Sequence, residues 1–181
     1  MGITYTLFYV LGTWSLSYGV KGLGFQQSEY LLLQMVSVVF FAIFIVVSCV
    51  YADKVGRKKV LLAVTAATLV FSFFTPFLLV HSAAHILVFL CIGFVLMGGL
   101  FGPCGAYLPE LFPVHVRYSG AGLSYNLAAI FGGAFAPTIA QALVNSKFGV
   151  AGVGWYMAIM AALALLALFL IKESKDKDYE L

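Results

Sequence analysis

Long apolar runs separated by short polar stretches make up most of the chain. Five of these runs contain no charged residue, and they cover residues 1–20, 30–52, 60–109, 118–146 and 148–171. A helix crosses the hydrocarbon core of a bilayer in about 20 residues, so the longest run is long enough to cross twice and each of the others once. The pattern predicts six spanning helices and a tail, near residues 3–20, 30–51, 60–80, 85–107, 118–142, 152–171 and 172–181.

Composition narrows the class of protein further. Of the 181 residues, 63% are hydrophobic and 9% are charged, whereas soluble domains carry about 25% charged residues. We therefore expect an all-α membrane protein that forms a single six-helix bundle, and a soluble enzyme is excluded. The net charge of +3 forms no basic face for nucleic acid. The apolar runs also lack the two-residue alternation of an outer-membrane barrel.

Residue types that bind metals or cofactors are sparse in this sequence. The three cysteines lie singly in apolar segments, without the paired spacing of a zinc site or a disulfide framework. The three histidines fall at the edges of predicted spans. We therefore expect no metal site, no cofactor and no enzymatic activity.

The basic residues predict an orientation in the membrane. With six spans, the loops at 52–59 and 108–117 share one side with the tail, and together they carry eight Lys and Arg residues. The opposite side carries only Lys21 and Lys147. The positive-inside rule places both termini in the cytoplasm. Because no basic residue precedes the first span, we also expect that the chain is preceded by further sequence in its parent protein.

The loop after the second predicted span reads DKVGRKK over residues 53–59. A glycine permits a tight turn between two helices, and a basic run fixes the loop on the cytoplasmic side. Neither effect requires an aspartate three residues before the glycine. The stretch resembles the D-[RK]-x-G-[RK]-[RK] loop motif of the major facilitator superfamily, and the resemblance implies that Asp53, Gly56 and Arg57 act in the cytoplasmic gate.

The next cytoplasmic connection reads PELFPVHVRYSG over residues 109–120. Its two prolines frame a short loop, because neither can continue a helix from the preceding turn. The string is similar to the P-E-x-F-P-x-x-x-R signature before the eleventh helix of these transporters. The R-Y-S-G that follows is similar to the metabolite:proton symporter subfamily. This resemblance adds Glu110 and Arg117 to the expected gating residues.

The resemblance covers the whole chain as helices seven to twelve of a twelve-helix protein. It implies that the chain forms one of two six-helix bundles, and that the two bundles rock about a substrate site at the membrane midplane. The implied function is proton symport of a small metabolite, an organic acid, across a bacterial inner membrane. The expected partners are the substrate, protons, the lipid bilayer and an N-terminal six-helix half or a second copy of the chain. Alone, the chain is expected to be inactive.

Two other classes of protein compete with this interpretation. One is a truncated, non-transporting remnant or an isolated half of such a transporter. The other is an intramembrane serine protease, which needs a serine in a Gly-x-Ser-x-Gly setting and a histidine on a facing helix. The sequence GLSYN around Ser124 supplies half of that pattern, and no histidine lies within a predicted span.

Polar side chains at helical spacing predict the substrate-facing surfaces, because a polar group facing lipid is costly. In the first span, such residues recur every four positions from Tyr5. The candidate substrate residues are Tyr9, Thr13, Gln34, Tyr125 and Asn126.

Asn126 is the leading candidate, because it lies nine residues beyond Arg117 and so about 13 Å into the membrane. For Asn126 and Gln34 the alternative is a bridge between two helices without substrate contact. No Asp, Glu, Lys or Arg lies inside a predicted span. A proton carrier would therefore belong to the other half.

Small and helix-breaking residues predict where helices approach closely or open. Gly98 and Gly102 form a Gly-x-x-x-Gly pair, which is typical of a packing face. The prolines Pro103 and Pro137 are expected to open their helices locally.

Overall fold

The computed structural model describes residues 1–171, and the predicted tail at 172–181 lies outside the described residues. Residues 1–171 form helices and connecting turns, without a strand. The helices are α1 (Gly2–Tyr9), α2 (Ser15–Lys21), α3 (Gln27–Val55), α4 (Arg57–Leu78), α5 (Ala83–Glu110), α6 (Arg117–Ala129), α7 (Ala136–Val144) and α8 (Gly149–Leu170). Two π-helical turns, Val10–Trp14 and Ile130–Ala134, connect α1 to α2 and α6 to α7.

These elements form six passes, each of which runs from one end of the bundle to the other. Five passes are long and apolar enough to span a membrane, namely Gln27–Val55, Arg57–Leu78, Ala83–Glu110, Val114–Val144 and Gly149–Leu170. The remaining pass is the first, in which α1, the π turn and α2 follow one another without a gap. At 1.5 Å per residue these 20 residues reach about 30 Å, the thickness of the hydrocarbon core. The all-α membrane fold expected from the hydrophobic pattern is confirmed.

Gly56 makes the turn between α3 and α4. Its φ of 114° lies in the region that other residues rarely adopt. The backbone N–H of Gly56 donates to the carbonyl of Ala52 at 2.9 Å, which closes the last turn of α3. Helix α4 then begins at the next residue, so no loop separates the two helices.

Helix α5 lies at the centre of the bundle, with α3 on one side and α4 on the other, and α4 packs in turn against α8. A Cβ at Gly98 would lie 2.8 Å from the carbonyl oxygen of Phe41. A Cβ at Gly102 would lie 2.4 Å from the hydroxyl of Ser48. The expectation that this glycine pair forms a packing face is confirmed, because α3 could not approach α5 so closely if either residue had a side chain.

The prediction for Pro103 was wrong. Helix α5 continues through Pro103 from Ala83 to Glu110. Next to Pro137 the helix is irregular, because the π turn Ile130–Ala134 ends just before α7 begins. Pro137 therefore lies next to an interruption of the fifth pass, whereas the fourth pass is continuous through Pro103.

Candidate functional site

Three charged residues from three helices meet at one end of the bundle. Asp53 lies in the last turn of α3, Arg57 is the first residue of α4, and Glu110 is the last residue of α5. The Arg57 guanidinium donates through Nη2 to Oδ1 of Asp53 at 3.1 Å and through Nη1 to Oε1 of Glu110. We call these three residues the charge cluster. It joins the two segments, 53–59 and 109–120, in which the sequence motifs were found.

The two ion pairs of the charge cluster differ in exposure. The side chain of Asp53 is 64% exposed, that of Arg57 is 30% exposed, and that of Glu110 is 21% exposed. An exposed pair contributes little, since water screens it, so Glu110 is the stronger partner of Arg57. The planar guanidinium presents several N–H groups and can hold both carboxylates at once.

The other two expected gating residues lie next to the charge cluster in the chain. Gly56 provides the turn that brings Arg57 back toward Asp53. Arg117 begins α6, after a short loop from Glu110 that ends in a 3₁₀ turn at Val114–Val116.

Gln34 holds the π turn of the first pass. Its side-chain amide is buried and donates to the carbonyls of Leu11 at 2.8 Å and Gly12 at 2.9 Å. The hydroxyl of Ser15 also donates to the Leu11 carbonyl, at 2.5 Å. A π turn disturbs the regular ladder of backbone hydrogen bonds, and polar side chains can satisfy the carbonyls that result. Of the two interpretations of Gln34, the structure therefore favours the helix bridge over substrate contact.

The π turn of the fifth pass has a similar partner. The buried hydroxyl of Thr6 on α1 donates to the carbonyl of Gly132 at 2.5 Å. A Cβ at Gly132 would lie 2.4 Å from the carbonyl oxygen of Gly2, so the two passes touch through their backbones. Neither π turn was predicted from the sequence. The sequence feature that could have indicated them is a glycine in one span together with a hydrogen-bonding side chain in a neighbouring span.

A cavity of about 330 Å³ lies between the first pass, α3 and α5. The rings of Phe41 and Phe101 meet edge to face in its wall, with centroids 6.1 Å apart. We call it the aromatic cavity, and it is lined by Thr4, Tyr5, Phe8, Phe41, Ile45, Met97 and Phe101. No charged side chain lines it within the described part of the chain.

The predicted substrate residues lie outside this lining among residues 1–171. Tyr9 is half-buried and its ring packs on Gly133, where a Cβ would lie 2.7 Å from it. The Tyr125 hydroxyl donates to the carbonyl of Cys104, a buried residue of α5, at 3.5 Å. These two tyrosines therefore contact neighbouring passes.

Asn126 and Thr13 are exposed on the bundle. The Asn126 amide donates to the carbonyl of Gly122 in its own helix at 2.8 Å. The hydroxyl of Ser124 likewise donates within its helix, to the carbonyl of Gly120 at 2.8 Å. Phe8 and Phe101 were not predicted as cavity-lining residues, because aromatic residues in a span are as typical of lipid contact as of a cavity wall.

The fold and these sites define a polytopic membrane protein with a cavity between its helices and a charge cluster at one end. The family model of the Major Facilitator Superfamily matches residues 1–180, and the chain belongs to this family. Its relatives carry transporter names. The chain is 42% identical, over 97% of its length, to the inner membrane metabolite transport protein YhjE of Escherichia coli. It is 30% identical, over 92% of its length, to a citrate-proton symporter of Klebsiella pneumoniae.

The match covers only part of these proteins. The chain spans 41% of the Escherichia coli relative and 38% of the Klebsiella pneumoniae relative. No solved structure matches the chain.

Proposed function

We propose that this chain is the C-terminal six-helix half of an alternating-access transporter for a small metabolite. The observation that carries the proposal is the position of Arg57, which joins Asp53 of one motif to Glu110 of the other. Membership of the Major Facilitator Superfamily and the fraction of each relative that the chain spans support it.

The charge cluster suits a gate between two halves. The ion pairs of Arg57 link the N-terminal end of α4 to the C-terminal ends of α3 and α5. The Asp53 carboxylate remains mostly exposed, so it is available to a group of the opposite half. The N-terminus of a helix in the opposite half would attract the Asp53 carboxylate, because a helix N-terminus carries a partial positive charge. Opening of the gate would separate Asp53 from that partner while Arg57 and Glu110 stay together. In this arrangement both termini face the cytoplasm.

The substrate would enter the aromatic cavity from the face that meets the other half. Asn126 and Thr13 are exposed and would provide polar contacts to the substrate, together with Tyr9 and Tyr125. We propose an organic acid as substrate and a proton as coupling ion, which the name of the Klebsiella pneumoniae relative supports. Because no charged residue of the described chain lines the aromatic cavity, the other half would supply both the counter-charge and the proton carrier.

The test is uptake of labelled organic acids by cells that express this chain alone or together with an N-terminal six-helix half. The matched variants are Asp53→Asn, in the charge cluster, and Lys54→Gln, its neighbour. We expect uptake only with the partner half, reduced by Asp53→Asn and retained by Lys54→Gln. Transport by the purified monomeric chain would contradict the half-transporter proposal. Absence of uptake at normal membrane levels in both cases would contradict transport of organic acids.

A further inference from the structure

A second cavity, which the proposed transport does not use, opens at the end of the bundle where α4 begins and α8 ends. It has a volume of about 280 Å³ and lies between α1, α4, α5 and α8. We call it the side cavity. Its walls are mostly aliphatic, and they include Ile3, Leu61, Leu100 and Ala164.

The side cavity reaches the outer surface of the bundle. Leu163 and Ala167 of α8 line it, and both are exposed, Leu163 by 58%. In a membrane-spanning bundle such a surface faces acyl chains. Three side chains with hydroxyl groups, Thr4, Thr65 and Tyr107, interrupt this otherwise mostly apolar lining.

The depth of the side cavity matches one leaflet of a bilayer. Along α8 and the residue that follows it, the lining runs from Met160 to Ile171, which is about 16 Å at 1.5 Å per residue. Half of the hydrocarbon core is about 15 Å thick. The cavity therefore extends from the interface to the middle of the membrane, as a single acyl chain does.

A basic side chain lies at the interfacial end. The Lys58 ammonium donates to the carbonyl of Ile171, and Ile171 lines the side cavity. Leu61, one turn further along α4, lines it as well, so Lys58 and the lining share a face of the helix. An ammonium has three donors, and within residues 1–171 Lys58 uses one of them on the Ile171 carbonyl. The side chain of the neighbouring Arg57 pairs with Asp53 and Glu110 instead.

We propose that the side cavity binds an anionic glycerophospholipid. One acyl chain fills the cavity along α8, and the phosphate accepts a hydrogen bond from Lys58. Basic pockets between helices are a recurrent way for membrane proteins to recognise anionic headgroups. Among the described residues, the lining of this site shares only Thr4 with that of the aromatic cavity, and it includes no residue of the charge cluster.

The experiment measures lipid retention by the purified full chain with native mass spectrometry. The chain is exposed to mixed micelles that contain phosphatidylglycerol or phosphatidylcholine. We expect several-fold greater retention of phosphatidylglycerol. Lys58→Gln should lower it about fivefold, the contribution of one basic residue at a membrane surface. Lys58→Arg should restore retention, and the exposed control Lys59→Gln should not change it.

A second pair of variants tests the acyl chain. Ala164→Leu places extra atoms inside the side cavity, whereas Ala162→Leu places them on an exposed position of α8 outside its lining. Ala164→Leu should lower retention of both lipids, and Ala162→Leu should lower neither. Unfolding temperatures of all variants show whether each remains folded. Equal loss with Lys58→Gln and Lys59→Gln, or full retention by a folded Ala164→Leu, would overturn the proposal.

Discussion

The side-chain amide of Gln34 on α3 lies 2.8 Å from the carbonyl oxygen of Leu11 in the first pass. The same nitrogen lies 2.9 Å from the carbonyl oxygen of Gly12. One side chain thus serves two carbonyls of a π turn, and the Leu11 carbonyl also accepts from the hydroxyl of Ser15. The shape of the first pass therefore depends on a residue of the next pass.

Replacing Gln34 with leucine should destabilise the bundle. Leucine has a similar size but no donor, so the Leu11 and Gly12 carbonyls lose their bonds to the amide. Hydrogen bonds between membrane helices contribute about 0.6 kcal/mol each, with a maximum near 1.7, so we expect a loss of about 1–2 kcal/mol. Unfolding in mixed micelles measures it. The control is Gln141→Leu, at an exposed position near the end of α7, and an equal loss there would contradict the role of Gln34.

Gly132→Ala should separate the first and fifth passes. Its new methyl group would meet the carbonyl oxygen of Gly2, a backbone atom that cannot turn aside. Overpacking of this kind costs about 1–3 kcal/mol. Gly105→Ala is the matched control, because a Cβ there meets no atom within 4 Å. Thermal unfolding of both variants should show a lower midpoint for Gly132→Ala alone, and equal midpoints would show that the passes can move apart freely.

The spans were predictable from the hydrophobic pattern, whereas the residues of the charge cluster were indicated only by a resemblance, which did not predict that Arg57 pairs with Glu110. Hydrophobic runs predict membrane helices because each helix must cross a core of fixed thickness. Arg57 and Glu110 are 53 positions apart, and no periodicity relates them. Only the resemblance of both loops to one family indicated a shared role.

The π turns and the aromatic cavity could not be predicted in the same way. The sequence of Val10–Trp14 is compatible with a regular helix, and the turn is stabilised by Gln34 from another pass. Phe8 and Phe101 line a cavity only because of the rotation of α1 relative to α5. Hydrophobic pattern carries no information about that rotation when nearly every position of a helix is apolar.

The two ion pairs of Arg57 should differ in strength. Double-mutant cycles with Arg57→Gln, Glu110→Gln and Asp53→Asn measure each coupling by unfolding in detergent. We expect less than about 0.5 kcal/mol for the pair with Asp53, which is largely exposed. The pair with Glu110 should reach about 1 kcal/mol, the upper end for pairs in contact with water.

Salt provides the control for these couplings. Both should weaken when the ionic strength is raised from about 0.1 M to about 1 M, because the screening length falls from about 10 Å to about 3 Å. A coupling with Asp53 larger than that with Glu110 would contradict the order inferred from their exposures.

Asn126 should affect transport without affecting stability. Its amide bonds to Gly122 within the same helix, and its side chain is exposed on the bundle. Asn126→Ala therefore breaks no contact between helices, and the unfolding midpoint should remain within error of the unmodified chain. If Asn126 contacts the substrate, uptake by the chain combined with its partner half should fall at least about tenfold, the effect of losing roughly 1.4 kcal/mol of binding. Ser124→Ala is the matched control, since its hydroxyl also bonds within the helix. Equal uptake by both variants at equal membrane levels would remove Asn126 from the substrate path and leave the aromatic cavity as the site to test by substitution of Phe101.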